Sequence, residues 1–290
     1  MLKFLKNWTL PLAMFAGAIG YFLLANVTIL EPAKPFVNWL IAVLTPFLIF
    51  AQLLLTFCKI EPKELLPKAW HVWLLSIQAV SSGIIALLLI FCPMEEAYRD
   101  IFEGAMVCLI CPTATAAAVI TGKLGGSAST LTTYTLLSNV LAAIAVPLVF
   151  PLVEPHADIT FVVAFLKILS KVFPLLLAPF FIALLFRYYI PSVHRLLSKY
   201  HGVAFYLWAV ALTIVTGQTV RSLVTAAADV SIEIMIALAG LATCCLQFYF
   251  GKRIGSAYHD RISAGQALGQ KNTVLAIWMA VTYLNPLSSV

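Results

Sequence analysis

Long apolar stretches separated by short clusters of charge dominate the sequence. A helix needs about 20 mostly apolar residues to cross the hydrocarbon core of a bilayer. Stretches of this kind lie at residues 8–30, 36–58, 69–93, 101–122, 127–153, 159–189, 203–222, 229–250 and 262–284. The pattern therefore predicts an all-α integral membrane protein with about nine transmembrane helices.

Composition supports the same class of protein. Hydrophobic residues make up 62% of the 290 residues and charged residues only 10%, against about a quarter charged in soluble domains. The net charge of +6 would suit nucleic acid, but a basic excess in a membrane protein usually reports orientation. We expect the lipid bilayer as a partner and no nucleic acid.

The loops predict the orientation. With the N-terminus in the cytoplasm, Lys34, Arg99 and Arg221 lie outside together with the acidic cluster Glu95, Glu96, Asp100 and Glu103. The inner side then carries the basic residues Lys3, Lys6, Lys59, Lys63, Lys68, Lys123, Arg187, Arg195, Lys199, Lys252, Arg253 and Arg261. This bias predicts a multi-pass protein of a cytoplasmic (inner or plasma) membrane, with its first apolar run a transmembrane helix rather than a signal peptide.

The sixth predicted span is longer than one perpendicular helix requires. Its 31 residues would measure about 46 Å. Lys167 and Lys171 lie near its start, so we expect an interfacial segment before the true crossing.

Lys271 lies near the bilayer midplane, about 14 Å from the nearer end of the ninth span. A lysine there costs about 2.5–3.5 kcal/mol and normally faces a cavity or a partner. Its neighbours Gly269, Gln270, Asn272 and Thr273 are typical of an unwound stretch that lines water. The alternative is a lysine that pairs with a helix C-terminus or an amide for packing alone.

Pro112 interrupts the fourth span. It removes an amide donor and clashes with the carbonyl of Cys108, which breaks or kinks a helix. Thr113 and Thr115 follow it and offer hydroxyls to the freed groups. An ordinary proline kink satisfied by these threonines is the alternative.

The two breaks lie five spans apart, and an odd repeat inverts in the membrane. Inverted five-helix repeats, each with one broken helix and both breaks crossing at the midplane, are the architecture of many secondary transporters. Other polar residues at membrane depth, including Gln78 and Thr135, are individually typical of interhelical packing.

Enzymatic chemistry has little support in the sequence. Cys108 and Cys111 form a C-x-x-C without a second pair or a histidine cluster, so we expect no metal. A P-loop, an H-E-x-x-H and a G-x-S-x-G are all absent from the sequence, so we expect neither an ATP-driven pump, an enzyme nor a cofactor.

At its two breaks the sequence resembles the bile acid:sodium symporter family. The stretch Cys111-Pro112-Thr113-Ala114-Thr115-Ala116-Ala117-Ala118-Val119 resembles that family's motif C-P-G-G-T-A-S-N-V. The stretch Ala267-Leu268-Gly269-Gln270-Lys271-Asn272 resembles its motif E-V-G-M-Q-N, and the likeness runs from residue 8 to the end.

The resemblance implies two domains. Spans one, two, six and seven (residues 1–60 and 158–222) would form a panel domain, and the other spans (residues 69–155 and 229–290) a core domain. The substrate, an organic anion such as a bile acid, a sterol conjugate or a small carboxylate, would bind between them at the crossed breaks and usually travel with two sodium ions.

This chain departs from the family pattern at the ion sites. Ala117 and Ala118 replace a serine and an asparagine, Ala267 replaces a glutamate, Leu131 replaces a serine and Lys271 replaces a glutamine. Of the implied sodium ligands, only Gln78 and Thr135 are retained. The resemblance also implies a tenth span, so the nine-span count suggests either a truncated chain or a tenth helix supplied otherwise.

We therefore expect an organic anion transporter that lacks the family's sodium sites. Lys271 would stand in for a cation and could exchange a proton during the cycle. The expected binding residues are Gln78, Pro112, Thr113, Thr115, Thr135, Gly269, Gln270, Lys271 and Asn272. The alternatives are a sodium-coupled symporter and, from another class, a non-transporting membrane sensor or assembly module.

Overall fold

The computed structural model describes residues 8–155, 158–200, 203–225 and 229–290. Lys3 and Lys6, on which part of the predicted orientation rests, lie outside the described residues. The described ranges contain twelve α-helices, here numbered α1 to α12: Thr9–Asn26, Lys34–Cys58, Ala69–Phe91, Glu96–Ile110, Ala117–Lys123, Ala128–Val153, Phe161–Tyr189, Pro191–Lys199, Val203–Thr225, Val230–Ala257, Arg261–Gly269 and Thr273–Tyr283.

Seven of the described helices are long and apolar enough to cross a membrane. Two further spans are each made of a pair of shorter helices, α4 with α5 and α11 with α12. Large apolar side chains such as Phe15, Phe91 and Phe181 are more than 60% exposed, as expected of surfaces that face lipid. The predicted multi-pass all-α fold with two broken helices is confirmed.

The interfacial segment predicted before the sixth crossing is wrong. Helix α7 is continuous from Phe161 to Tyr189, because lysine side chains do not interrupt backbone bonding and can extend along a helix surface. A short amphipathic helix follows the crossing instead, where Pro191 begins α8 and exposed Arg195 and Lys199 alternate with leucines. The lysines of α7 therefore belong to one continuous helix that is long and apolar enough to cross a membrane.

Helices α1, α2, α7 and α9 form one packed group. Helix α1 packs on α9, α9 on α2, and α2 on α7. The contact between α1 and α9 is backbone to backbone, because a Cβ added to Gly17 would overlap the Thr213 carbonyl oxygen and lie 3.1 Å from the amide nitrogen of Gly217. Small residues at such crossings let helices approach closely in a membrane.

The remaining long helices form a second group around the breaks. Helix α4 packs on α3 and α10, and α11 packs along α10. One continuous set of buried apolar side chains runs from Leu48 and Phe57 in the first group to Met106, Phe150 and Met279 in the second. The two groups therefore share a core.

Arg99 ties together three helix ends of the second group. Its guanidinium contacts Glu154 at 2.9 Å and Glu103 at 3.3 Å and donates to the carbonyls of Leu89 and Val153. Helices α3, α4 and α6 therefore meet at a cluster of charge, called here the Arg99 end of the bundle. The short 3₁₀ helix Pro286–Ser289 also packs against α4.

Gly17→Ala is expected to lower the thermal unfolding midpoint of the detergent-solubilised protein. The added methyl would force α1 away from α9, and overpacking of this kind costs about 1–3 kcal/mol. Gly20→Ala in the same helix is the matched control, because its Cβ would meet nothing within 4 Å. Equal midpoints for the two variants would contradict the close contact between α1 and α9.

Candidate functional site

The two helix breaks cross each other and pair through their backbones. The amide of Ala114 donates to the Gln270 carbonyl at 2.9 Å, and the amide of Asn272 donates to the Pro112 carbonyl at 2.9 Å. These bonds form an isolated antiparallel bridge. The opposite chain directions are those of two inverted repeats, and backbone groups freed by each break are satisfied by the other.

Side chains add further links across the crossing. The Thr113 hydroxyl donates to the Ala267 carbonyl at 2.6 Å, near the end of α11. The Cys111 thiol lies 3.2 Å from the Asn272 carbonyl oxygen. Thr113 and Cys111 have no exposed surface, so these bonds form away from solvent.

Local sequence explains where the helices stop and restart. Pro112 cannot donate a backbone hydrogen bond, so α4 ends just before it. Asn272 caps α12 by accepting a hydrogen bond from the Leu275 amide at 3.2 Å, a common role of asparagine. Gly269 ends α11 beneath the ring of Phe248, which any Cβ at that position would overlap.

The last carbonyls of α4 all receive hydrogen bonds from other parts of the chain. A helix C-terminus leaves its final carbonyls without helical partners and carries partial negative charge. The four bonds are Gln247 Nε2 to the Cys108 oxygen at 3.4 Å, Lys271 Nζ to the Leu109 oxygen at 3.3 Å, and Gln78 Nε2 to the Ile110 oxygen at 2.9 Å and the Cys111 oxygen at 3.3 Å. This set is called here the α4 carbonyl end. It is a cation-attracting site already occupied by donors, one of them an ammonium.

Gln78 uses both ends of its amide within the protein. Its nitrogen donates to the α4 carbonyl end, and its oxygen accepts from the Tyr134 hydroxyl at 3.0 Å and the Ser138 hydroxyl at 3.2 Å. The side chain is 1% exposed. The structure thus places this predicted binding residue in a saturated hydrogen-bond network.

Three other predicted residues are less engaged. Thr135 is buried and donates to the Leu131 carbonyl of its own helix at 3.0 Å. Thr115 is half-buried and forms no hydrogen bond within the described residues. The side-chain oxygen of Gln270 is buried without a partner in the described part of the chain.

The positions where the resemblance implies sodium ligands contain closely packed apolar side chains. Ala117, Leu131 and Ala267 have no exposed surface. They belong to one buried cluster whose members are Trp70, Leu74, Ala117, Leu131, Tyr134, Ala264, Ala267 and Leu268. Methyl and isobutyl groups offer no oxygen atoms, which are the ligands that hard cations require.

A separate cavity of about 580 Å³ lies between α12 and the group of α2, α7 and α9. Its lining residues are Ile41, Ala42, Pro46, Phe47, Phe50, Lys171, Pro174, Leu175, Gln218, Trp278 and Thr282. None of the nine predicted binding residues, all of which are described, is among them. The sequence analysis did not identify the cavity residues, because apolar spans give no signal of which helix faces separate from one another. Lys171 in the sixth span was the available clue.

Spans interrupted at membrane depth, with the two breaks crossed, define a class of protein: the secondary transporters with discontinuous helices. The family model described as the sodium bile acid symporter family matches residues 45–226. The chain belongs to that family. Its members are transporters rather than enzymes, and membership indicates sodium-dependent transport of an organic anion as the family activity. No curated protein gives a significant match to the chain.

Thr113→Val is expected to destabilise the crossing, because it leaves the Ala267 carbonyl without its hydroxyl donor in a buried place. The loss should be about 1–3 kcal/mol and should lower the thermal unfolding midpoint. Thr115→Val makes the same exchange two residues away where no hydrogen bond is lost, so its midpoint should stay near wild type. Equal losses for both variants would show that the link from Thr113 to Ala267 does not support the crossing.

Proposed function

We propose that the protein is a secondary transporter of an organic anion, bile-acid-like or a small carboxylate, that works by alternating access without the sodium sites of its family. Lys271 takes the place of a bound cation. The observation that carries the proposal is the hydrogen bond from Lys271 Nζ to the Leu109 carbonyl at 3.3 Å. The proposed location is a cytoplasmic membrane with the N-terminus inside.

The argument begins with the α4 carbonyl end. In transporters with broken helices, unwound carbonyls and half-helix C-termini coordinate the coupling ion. Here the same kind of carbonyls accept hydrogen bonds from Lys271, Gln78 and Gln247. An ammonium at this place repels a second cation and presents donors rather than oxygen ligands.

The apolar cluster supports the absence of the other sodium site. Ala117 and Ala267 present methyl groups where the family resemblance implies oxygen ligands, and Leu131 fills the space beside them. A cation placed there would lose its hydration without gaining ligands, which costs several kcal/mol.

The proposed domains follow the packing of the helices except at α6, which packs against α7 as extensively as α2 does. The group of α1, α2, α7 and α9 would be the panel domain, and the group that holds both breaks would be the core domain. The cavity lies between α12 of the core and three panel helices. A binding site at the boundary between two packed groups could open to each side in turn as one group rocks against the other.

Proton linkage is a further part of the proposal. In the described residues Lys271 forms no ion pair with a carboxylate, and its ammonium donates one hydrogen bond, to the Leu109 carbonyl. An ammonium held by a single carbonyl could release its proton when the site rearranges.

A sodium-coupled symporter is the second candidate, because the chain belongs to a family of sodium symporters. Such a site would use the Thr135 hydroxyl oxygen, whose lone pairs have no described partner, together with backbone carbonyls. This candidate requires Lys271 to move away from the Leu109 carbonyl when sodium binds.

Sodium should leave the thermal unfolding midpoint unchanged when it replaces potassium at constant ionic strength. A ligand that binds only the folded state stabilises it by about 2.7 kcal/mol at 100 times its Kd, so a sodium site would raise the midpoint by about 5 °C or more. The measurement uses purified protein in detergent between pH 6 and pH 10, with N-methyl-D-glucamine as a third cation. A rise specific to sodium would establish the second candidate.

Lys271→Gln tests the role of the lysine in the same assay. The variant removes the charge and keeps an amide donor within reach, so the pH dependence contributed by Lys271 should disappear, and sodium could regain access. Lys167→Gln is the control, because that lysine is exposed on α7 and distant in sequence from the crossing. An unchanged pH profile in Lys271→Gln would remove the proton linkage from the proposal.

A further inference from the structure

Among the described residues that line the cavity, Lys171 is the single charged one. Gln218 and Thr282 are its other polar side chains, and the remaining lining residues are apolar or proline. None of the described lining residues carries a carboxylate. The space therefore combines one positive charge with a large apolar surface.

Several cations of this chain contact an acidic side chain, whereas Lys171 contacts none within the described residues. Lys68 contacts Asp260 at 3.0 Å, and Arg187 contacts Glu61 at 3.0 Å. Within the described residues the side chain of Lys171 forms neither an ion pair nor a hydrogen bond, and it is exposed. Its charge is free to meet an anion that enters the cavity.

The position of Lys171 within a candidate membrane span makes its charge costly unless that charge faces a cavity or a partner. It lies ten residues after Phe161, the first residue of α7, or about 15 Å along the helix. Ionisable residues inside membrane spans are expensive and usually face a cavity or a pathway. Lys171 lines the cavity, in agreement with that rule.

A second polar group in the wall lacks a partner. The side-chain oxygen of Gln218 is buried without a hydrogen bond in the described residues, and an unsatisfied buried oxygen costs about 1–3 kcal/mol. A hydroxyl or N–H of a ligand in the cavity would satisfy that oxygen.

We propose that Lys171 binds the anionic group of the transported substrate and so determines the selectivity of the cavity for anions. This inference rests on the proposed function and deepens it, because it separates two cations: Lys271 occupies the ion site at the crossing, and Lys171 serves the substrate. Gln218 accepts a hydrogen bond from a hydroxyl or N–H of the same substrate. The substrate class is an amphipathic monoanion with a polar donor on its body.

The apolar lining determines the rest of the substrate. Phe47, Phe50 and Trp278 lie on the two sides of the cavity, in α2 and α12. Ligand sites are typically cavities of about 300–1,000 Å³ that are mostly apolar with a few placed polar groups, and a volume of about 580 Å³ falls in that range. A rigid ring system with one acidic group fits this description better than a small dicarboxylate does.

The test measures binding to the full chain in nanodiscs of neutral phosphatidylcholine. The probes are two monoanions, cholate and 1-naphthylacetate, each beside its uncharged carboxamide, with Kd taken from equilibrium dialysis at constant ionic strength. Lys171→Gln should weaken binding of at least one anion about tenfold or more and leave its carboxamide within about twofold. Lys171→Arg should retain binding within about threefold, since it keeps the charge.

Lys167→Gln is the matched control, because it removes the same charge one turn earlier on the same helix and lies outside the cavity wall. Its Kd should equal that of wild type. Equal effects of Lys167→Gln and Lys171→Gln would reduce the result to general electrostatics and overturn the proposal. An anion affinity unchanged by Lys171→Gln would also overturn it, and would indicate a lysine that extends to lipid phosphates.

The comparison of wild-type protein with Lys171→Gln also distinguishes a failure of this inference from a failure of the proposed function. Wild-type protein that binds neither anion better than its carboxamide would count against both the function and the inference. Wild-type protein that selects the anions while Lys171→Gln is unaffected would retain the function and reject Lys171 alone. The thermal midpoint of each variant, measured in the same nanodiscs, shows whether a loss of binding reflects a loss of folded protein.

Discussion

Two backbone hydrogen bonds between the helix breaks are the constraint on which the centre of this molecule depends. Each break exposes amides and carbonyls at a depth where water is scarce, and an unsatisfied backbone group there costs several kcal/mol. The bonds from Ala114 to Gln270 and from Asn272 to Pro112 satisfy one break with the other. Neither break could exist alone at that depth, so the two halves of the chain must fold around a common crossing.

The crossing also positions the charge. Because Asn272 is bonded to Pro112, the preceding residue Lys271 is held beside the end of α4, where its ammonium reaches the Leu109 carbonyl. The saturated amide of Gln78 and the apolar cluster around Ala117 and Ala267 complete a centre with little room for a mobile ion. Under the proposed function the positive charge at this centre comes from the chain itself, and the cavity between α12 and the group of α2, α7 and α9 is a separate feature.

Sequence reasoning reached the number of spans and the two breaks because these depend on local properties. Pro112 lacks an amide hydrogen wherever it is placed, and an apolar run of 20 residues has few alternatives to a membrane span. The hydrogen-bond partners that a side chain finds on a distant helix could not be predicted in the same way. The capture of Gln78 by Tyr134 and Ser138 depends on the rotation of α6 about its axis, and an apolar helix has almost no periodicity from which to read that rotation.

The continuity of α7 and the cavity could not be predicted for a related reason. Lys167 and Lys171 predict an interfacial segment before the crossing, because the sequence shows the cost of a charge in a span but not the space that accommodates it. The faces of α2, α7, α9 and α12 that leave the cavity open are all apolar, like the faces that pack. Only their three-dimensional arrangement shows that Lys171 lines the cavity on a continuous helix.

The unequal lengths of α1 and α7 have a consequence for the surrounding lipid. Helix α1 has 18 residues and α7 has 29, or about 27 Å and 43 Å, whereas the hydrocarbon core is about 30 Å thick. Helix α7 must tilt or extend past the core, while α1 matches it almost upright and touches the protein mainly through α9. Thickening of the bilayer would therefore impose hydrophobic mismatch on α1 first, and the edge of the protein formed by α1 and α9 would be the part most sensitive to membrane composition.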